Sequence, residues 1–323
     1  MNLMKYRLAF KDYRLWCLLL ALAAMLALFA RPVAVKRQPV YNFIFIVDIT
    51  RSMNAADYRP DGREVSRLEY VKKTLGELIA KLPCQSRVGL GLFTERRSVL
   101  LFEPLEVCSS YAEITESIGR IDWRMAWAAD SNIAKGLMST MEMLETSGST
   151  VVFITDGQEA PPVNPAYQPD FSGLKSRMKG LIIGAGGLQP VPIPKFDANG
   201  EQIGVYSEDD VPHRSTFGQS NLDPSQIEGY DARNAPFGSR KVAGREHLAV
   251  LHEAYLQKLA GEAGLGYVRL KDLQSLQTAL QTPEFAMLKN VQTDVRWQAA
   301  LAALMLLSAV YLPNPGKFIR RLR

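Results

Sequence analysis

Four oxygen-bearing side chains stand where chemistry is possible. Asp48, Thr50 and Ser52 lie in FIFIVDITRSMN (residues 43–54), and Asp156 lies in TVVFITDG (residues 150–157). Both stretches are apolar runs suited to buried strands, and both end in an aspartate. The Asp-x-Thr-x-Ser spacing sends a carboxylate and two hydroxyls out of one strand terminus together. The set contains no cysteine or histidine, so a thiolate or imidazole metal site is excluded. Hard oxygens with few charges suit an octahedral cation such as Mg²⁺ or Mn²⁺, which keeps several waters and leaves a position open. Two carboxylates supply too little charge to saturate the ion. A carboxylate from another molecule would complete the shell, giving a metal-dependent docking site.

The elements that must position these oxygens can be read along the chain. Residues 43–47 form an unbroken apolar run, as expected of a central strand covered on both faces. Residues 66–82 carry apolar side chains at 68, 71, 75, 78, 79 and 82, a helical spacing that Pro83 stops. RVGLGLF (87–93) and SVLLFEPL (98–105) read as a hairpin turning at 94–97. Helices over 111–121 and 132–145, a strand over 150–155 and a strand at 181–183 running into Gly184-Ala185-Gly186-Gly187 follow. Residues 189–245 are rich in Pro, Gly, Asp and Ser and read as a long irregular insertion. A helix over 246–263 and a strand over 267–270 complete the set. Strands alternating with helices argue a mostly parallel α/β sheet. In such sheets ligands bind beyond the carboxyl ends of the strands, so Asp48 and Asp156 are expected to share one crevice.

Of 323 residues, 47% are hydrophobic and 22% charged, a globular composition. The net charge of +5 sits at the ends: Lys5, Arg7, Lys11 and Arg14 at one, and Lys317, Arg320, Arg321 and Arg323 at the other. The middle is near neutral and carries no basic face interleaved with aromatics, which argues against nucleic-acid binding. The basic ends flank two apolar runs, LWCLLLALAAMLALFA (15–30) and WQAALAALMLLSAVYL (297–312). Each is somewhat under the ~20 residues a membrane crossing needs, a deficit that flanking residues can supply. Leu28-Phe29-Ala30 is a poor small-x-small cleavage site, so the first run reads as an uncleaved anchor rather than a signal peptide. The expected organisation is a cytoplasmic tail (1–14), a transmembrane helix (15–34), a folded domain (41–275), a second transmembrane helix (295–313) and a basic cytoplasmic tail (314–323). Basic tails on both sides place the domain across the membrane from the cytoplasm, in the periplasm of a bacterium. Cys84 and Cys108 are symmetric about the hairpin turn and are expected to meet at its open end in a disulfide, fitting an oxidising compartment.

The D-x-[ST]-x-S loop after a buried strand, with a later strand ending in TDG, resembles the von Willebrand factor A domain and its metal-ion-dependent adhesion site. The resemblance implies a Rossmann-like fold with one antiparallel edge strand and helices on both faces. It also implies a further hydroxyl ligand from AADSNIAKGL (128–137), where Ser131 stands in place of the usual threonine. The implied metal set is Asp48, Thr50, Ser52, Ser131 and Asp156, holding Mg²⁺ or, in its place, Mn²⁺ or Ca²⁺, with Asp156 acting through water. Thr50 for serine and Ser131 for threonine are departures that keep the hydroxyl. RLEYVKK, RVGLGLFTE, ITDGQEA, LIIGAGG with PIPKF, and LQKLAGEAGLGYVRL resemble landmarks of membrane-anchored bacterial A-domain proteins of the Bat type, associated with MoxR-type ATPases. DITRSMN, LPCQSRVGLGLFTERRSVLLFEPLEVC and DWRMAWAADSNIAKGL are most similar to the MxaL branch, from methanol-oxidation gene clusters. That branch implies an inner-membrane accessory factor for calcium insertion into periplasmic methanol dehydrogenase. Its implied partners are the dehydrogenase, sister A-domain proteins and the ATPase.

Rival readings exist for each feature. Asp48-Ile-Thr-Arg-Ser also resembles the nucleophile loop of aspartyl-phosphate enzymes, which would recruit Glu159 and Lys135, though neither has the expected spacing. No acid–base pair or activated nucleophile stands out, so no enzymatic activity is expected. His247 and His252 are five apart and read as helix-surface residues rather than a zinc pair. Gly184 to Gly187 reads as a tight turn more readily than as an anion cradle. Trp123 and Trp127 are expected to pack on the core, with Asp130 behind Ser131.

Overall fold

A computed structural model describes residues 13–30, 32–126, 131–160, 168–175, 177–197, 199–210 and 245–312. The chain divides into two units, Pro39–Met287 and the joined ends Met1–Gln38 with Leu288–Arg323.

In the larger unit a six-stranded sheet runs in the order β6-β5-β4-β1-β2-β3. The strands are β1 (Asn42–Asp48), β2 (Arg87–Thr94), β3 (Arg97–Glu106), β4 (Thr150–Thr155), β5 (Gly180–Gly184) and β6 (Gly266–Arg269). All pairings are parallel except β2 with β3, so a mostly parallel sheet with one antiparallel edge strand is present. Around it lie α1 (Arg67–Ile79), α2 (Tyr111–Gly119), α3 (Ile133–Leu144), α4 (Glu253–Ala263) and α5 (Leu273–Leu280).

The apolar run of β1 is unbroken because both of its faces are covered. Successive side chains point to opposite sides of a strand. Phe43, Phe45 and Val47 enter one core with Leu75 and Leu78 of α1; Ile44 and Ile46 enter the other with Leu137 of α3 and Leu256 of α4. Each of these side chains is fully buried, worth about 1.5–3 kcal/mol apiece. A strand anchored on both sides holds its C-terminal residue, Asp48, rigidly in place. Two of the helices facing the sheet, α1 and α3, start on side-chain caps: Ser66 Oγ accepts from Glu69 N at 3.2 Å, and Asn132 Oδ1 accepts from Lys135 N at 3.0 Å.

Some boundaries depart from the sequence-based expectation. The last long helix begins at Glu253, not at residue 246: Leu248 and Ala249 instead pair antiparallel with Val191 and Pro192. That pairing ties the two ends of the irregular segment together and takes the backbone of residues 246–252 out of helix. His247 and His252 therefore do not share a helix face; His252 is the N-cap position of α4. The segment also holds a small ribbon, Pro194–Phe196 against Gln202–Val205. Residues 211–244 lie outside the described residues, as do Trp127 and Asp130. Trp123 stacks on Phe196 with ring centroids 5.4 Å apart and packs against the core. Cys84 and Cys108 are joined in a disulfide, with Cα atoms 5.3 Å apart, just outside the open end of the β2–β3 hairpin.

In the smaller unit, helix Tyr13–Ala27 continues as a 3-10 turn to Ala30 and packs along helix Arg296–Val310, while strand Val33–Val40 pairs with Met287–Asp294. Tyr13–Ala30 is long and apolar enough to cross a membrane, with mean hydropathy 2.0. Arg296–Val310 is apolar but has only 15 residues. At 1.5 Å per residue it reaches about 22 Å, short of the ~30 Å hydrocarbon core. Of the two expected spanning helices, one meets the length requirement among the described residues.

Candidate metal centre

β1 delivers Asp48 at its last position, paired with Phe93 on β2, and β4 delivers Asp156 one residue past its end. After Asp48 the chain enters a 3-10 turn, Arg51–Asn54, closed by Met53 N to Thr50 O (3.0 Å) and Ala55 N to Ser52 O (3.1 Å). Met53, fully buried, anchors this turn, and Thr50 and Ser52 are buried with it. Their hydroxyls lie 3.3 Å apart. Ser131 comes from the loop before α3 and is held by backbone bonds to two other loops. Ser131 N donates to Ala160 O at 2.7 Å, and Asn132 N donates to Glu95 O at 2.6 Å. Glu95 directly follows β2, the neighbour of β1, and Ala160 lies four residues beyond Asp156. The three loops therefore converge at the carboxyl ends of β1, β2 and β4, where Asp48, Thr50, Ser52, Ser131 and Asp156 were expected to meet. All five are buried, none more than 6% exposed.

The two carboxylates live in different fields. Asp156 Oδ2 accepts from Arg67 Nη1 at 2.7 Å, and its Oδ1 from Gln158 N at 2.9 Å. Arg67 is itself completely buried and donates Nη2 and Nε to Asp57 Oδ2 at 2.6 and 3.0 Å. Burial opposes the guanidinium's charge, but Asp156 and Asp57 outweigh it and hold its pKa above the ordinary value. Asp48 has only neutral donors: Thr50 N at 2.8 Å and Thr155 Oγ1 at 2.6 Å. Burial, with the charge of Asp156, pushes the Asp48 carboxyl up to about 7. A carboxylate so placed is short of a cation.

The donor set fits a divalent ion on these observations. Asp48 is a buried carboxyl with no positive neighbour hydrogen-bonded to it among the described residues. Ser131 Oγ is buried and has no hydrogen-bond partner among them either, an arrangement that ordinarily costs about 1–3 kcal/mol. The hydroxyls of Thr50 and Ser52 share one bond between them. Such an ion would draw on Asp48, Thr50, Ser52 and Ser131, with Asp156, already engaged on both oxygens, the more peripheral member. Glu159, the acid that a phosphoryl-transfer reading would recruit, is engaged by other groups. Glu159 Oε1 accepts from Tyr255 OH at 2.5 Å and from Ala134 N at 3.3 Å.

Sequence reasoning missed Arg67 and Asp57. A signal was present: Arg67 lies four residues before Val71 and eight before Leu75, on the buried stripe of α1. The glycine run after β5 has a use the sequence did not disclose. Gly187 N donates to Asp57 Oδ2 at 2.7 Å, and a Cβ on Gly186, whose φ is +129°, would lie 2.6 Å from Arg67 Nε. The turn thus approaches the ion pair more closely than any side chain would permit.

Residues 43–158, about a third of the chain, match the von Willebrand factor type A domain. No curated protein matches the chain. Among solved structures, an aerotolerance-related membrane protein from Bacteroides fragilis is similar at 19% identity, over 74% of this chain and 96% of that one, with a TM-score of 0.46. The conserved hypothetical protein BatB from Bacteroides thetaiotaomicron is similar at 19% identity, over 74% and 95%, with a TM-score of 0.47. Proximal thread matrix protein 1 from the mussel byssus, with a zinc-occupied MIDAS motif, is similar at 18% identity, over 47% and 40%, with a TM-score of 0.33. The segment that carries Asp48, Ser131 and Asp156 on this α/β sheet is thus similar to the von Willebrand factor type A domain.

Proposed function

We propose that this chain is a membrane-anchored, metal-dependent protein-binding module. Asp48, Thr50, Ser52 and Ser131, with Asp156 behind them, hold a divalent cation such as Mg²⁺, and an acidic residue of a partner protein completes its shell. The bound ion supplies positive charge at a site whose own carboxylates leave it under-neutralised. The observation that carries this reading is the pairing of a cation-poor buried carboxylate, Asp48, with the orphaned hydroxyl of Ser131 in one crevice. Arg67 pins Asp156, the 3-10 turn pins Thr50 and Ser52, and the two backbone bridges pin Ser131. The chain's contribution is holding and positioning, not turnover.

The N-terminal helix anchors the protein, the C-terminal apolar helix accompanies it as a second, shorter anchor, and the A domain faces the periplasm of a bacterial inner membrane. The disulfide between Cys84 and Cys108 fits that oxidising side. The motif resemblance favours partners among periplasmic assembly systems: methanol dehydrogenase during calcium insertion, or envelope proteins of the Bat kind working with a MoxR-type ATPase. Capture of partners from a membrane extract in Mg²⁺ tests the grip. Asp48→Ala and EDTA should each abolish capture while the domain stays folded by circular dichroism. Capture that survives both removes the reading. Growth of a deletion strain on methanol, with and without added calcium, separates the two client classes.

A further inference from the structure

The segment that follows β4 is gripped at each residue from Asp156 to Ala160. Asp156 O accepts from His252 N at 2.9 Å, which bonds its backbone to the N-cap of α4. Gly157 has φ +77°, and a Cβ there would lie 2.9 Å from Leu256 Cγ, so the chain passes hard against the start of α4. Gln158 N donates to Asp156 Oδ1 at 2.9 Å, and Gln158 Nε2 reaches Glu246 O at 2.8 Å and Leu248 O at 3.1 Å. Ala160 exchanges two backbone bonds with Ser131: Ser131 N donates to Ala160 O at 2.7 Å, and Ala160 N donates to Ser131 O at 3.0 Å. Glu159 lies between these grips and uses one oxygen for two elements. Its Oε1 accepts from Ala134 N, in the first turn of α3, at 3.3 Å and from Tyr255 OH, on α4, at 2.5 Å. α3 begins two residues after Ser131, and the first N–H groups of a helix have no partner inside it. Asn132 Oδ1 takes Lys135 N, and Glu159, 25 residues away in the chain, takes Ala134 N.

We infer that Glu159, oriented by Tyr255, is a positioning residue for Ser131: it docks the start of α3 on the segment that carries Asp156 and ties both to α4. The inference rests on the reading of the crevice as a metal centre. Ser131 Oγ has no hydrogen-bond partner among the described residues, so its place is set by the backbone around it. Two features fix that backbone to the Asp156 segment, the Ala160 bridge and the Glu159 bond to Ala134 N. A hydroxyl held in place before an ion arrives costs the ion less ordering entropy than one that must be gathered in. Glu159 acts through this backbone and is not a ligand. Both of its donors are neutral and need only an acceptor, so an amide at position 159 can do the same work and a methyl group cannot. Without Oε1, Ala134 N and the Tyr255 hydroxyl lose this acceptor, and α4 loses its side-chain link to the Ser131 loop.

The test uses the full chain in detergent with two readouts: hydrogen exchange of residues 131–134 by mass spectrometry in EDTA, and Mg²⁺ binding by calorimetry. Glu159→Ala is expected to speed that exchange roughly tenfold and to weaken Mg²⁺ binding about fivefold, the scale of one lost hydrogen bond. Tyr255→Phe, which leaves Oε1 the Ala134 bond alone, should shift both readouts in the same direction by a smaller factor. Glu159→Gln keeps the acceptor and should stay within about twofold of the wild type in both. In a Ser131→Ala background, Glu159→Ala should change Mg²⁺ affinity by no more than about twofold, whereas a general loss of stability would act independently of Ser131. Unchanged exchange of residues 131–134 in Glu159→Ala, a Glu159→Gln protein as impaired as Glu159→Ala, or effects on Mg²⁺ that multiply in the double variant would each overturn the inference. A wild type that takes up no Mg²⁺, with variants that exchange as expected, removes the metal reading and leaves the tether of the Ser131 loop standing. Should Glu159→Ala fail to fold, Tyr255→Phe with and without Ser131→Ala decides by the same two readouts.

Discussion

Replacing Arg67 by methionine removes a completely buried charge from the larger unit while keeping much of its apolar stem. Three hydrogen bonds disappear, one to Asp156 at 2.7 Å and two to Asp57 at 2.6 and 3.0 Å. Both carboxylates are essentially enclosed, with side-chain exposures of 0% and 6%, so water cannot replace the guanidinium. Asp57 retains Gly187 N and Asp156 retains Gln158 N, but neither keeps a counter-charge hydrogen-bonded to it among the described residues. Breaking a buried pair from one side typically costs 3–5 kcal/mol, because the remaining charge is stranded. With a urea m-value near 3 kcal/mol per M, the unfolding midpoint should fall by roughly 1–2 M. The assay is urea denaturation of the full chain in detergent, followed by tryptophan fluorescence. The triple variant Arg67→Met, Asp57→Asn, Asp156→Asn should recover a large part of the loss, since it strands no charge. An Arg67→Met midpoint within 0.3 M of wild type, about 1 kcal/mol at that slope, would refute the electrostatic reading of this triad.

Ser131→Ala should weaken Mg²⁺ binding several-fold in a calorimetric titration yet leave metal-free stability within about 1 kcal/mol, because the hydroxyl has no hydrogen-bond partner to lose among the described residues. Glu159, raised by burial to about 7 from 4.5, gives a pH signature. The folded state holds this proton where the unfolded chain has released it, so its contribution is full below pH ~4.5 and falls by about 3 kcal/mol on rising to pH ~7. Glu159→Gln should flatten that limb of the stability profile by the same amount; an unchanged profile counts against the burial argument. Replacing Cys84 and Cys108 by serine opens a loop with a sequence separation of 24 residues and should cost about 3 kcal/mol in denaturant melts. Loss of less than 1 kcal/mol would show that the hairpin end is held by other means.

Much of this architecture is legible in the sequence because burial writes itself into periodicity. FIFIV is apolar at every position since β1 is covered on both faces, and the aspartates after it and after TVVFI mark where two such strands end at one edge of the sheet. The hydroxyl spacing of Thr50 and Ser52 is local and needs no tertiary knowledge. Ser131 is different: its place depends on backbone bridges to Glu95 and Ala160, residues distant in the chain, and only resemblance to a known loop pointed to it. Arg67 was hidden by type, since an arginine on an apolar helical stripe is ordinarily read as a solvated boundary. The start of α4 was misplaced because residues 246–252 have helical composition but spend their hydrogen-bonding groups on Val191, Gly187 and Asp156.

The central claim is that oxygens from three loops hold one divalent ion. Crystals of the full chain grown in Mn²⁺, measured at the manganese absorption edge, test it most directly. The account predicts one anomalous peak bounded by Asp48, Thr50, Ser52 and Ser131, with Asp156 behind them, absent in Asp48→Ala. A crevice without a peak in wild-type crystals, or a peak that persists in Asp48→Ala, contradicts it.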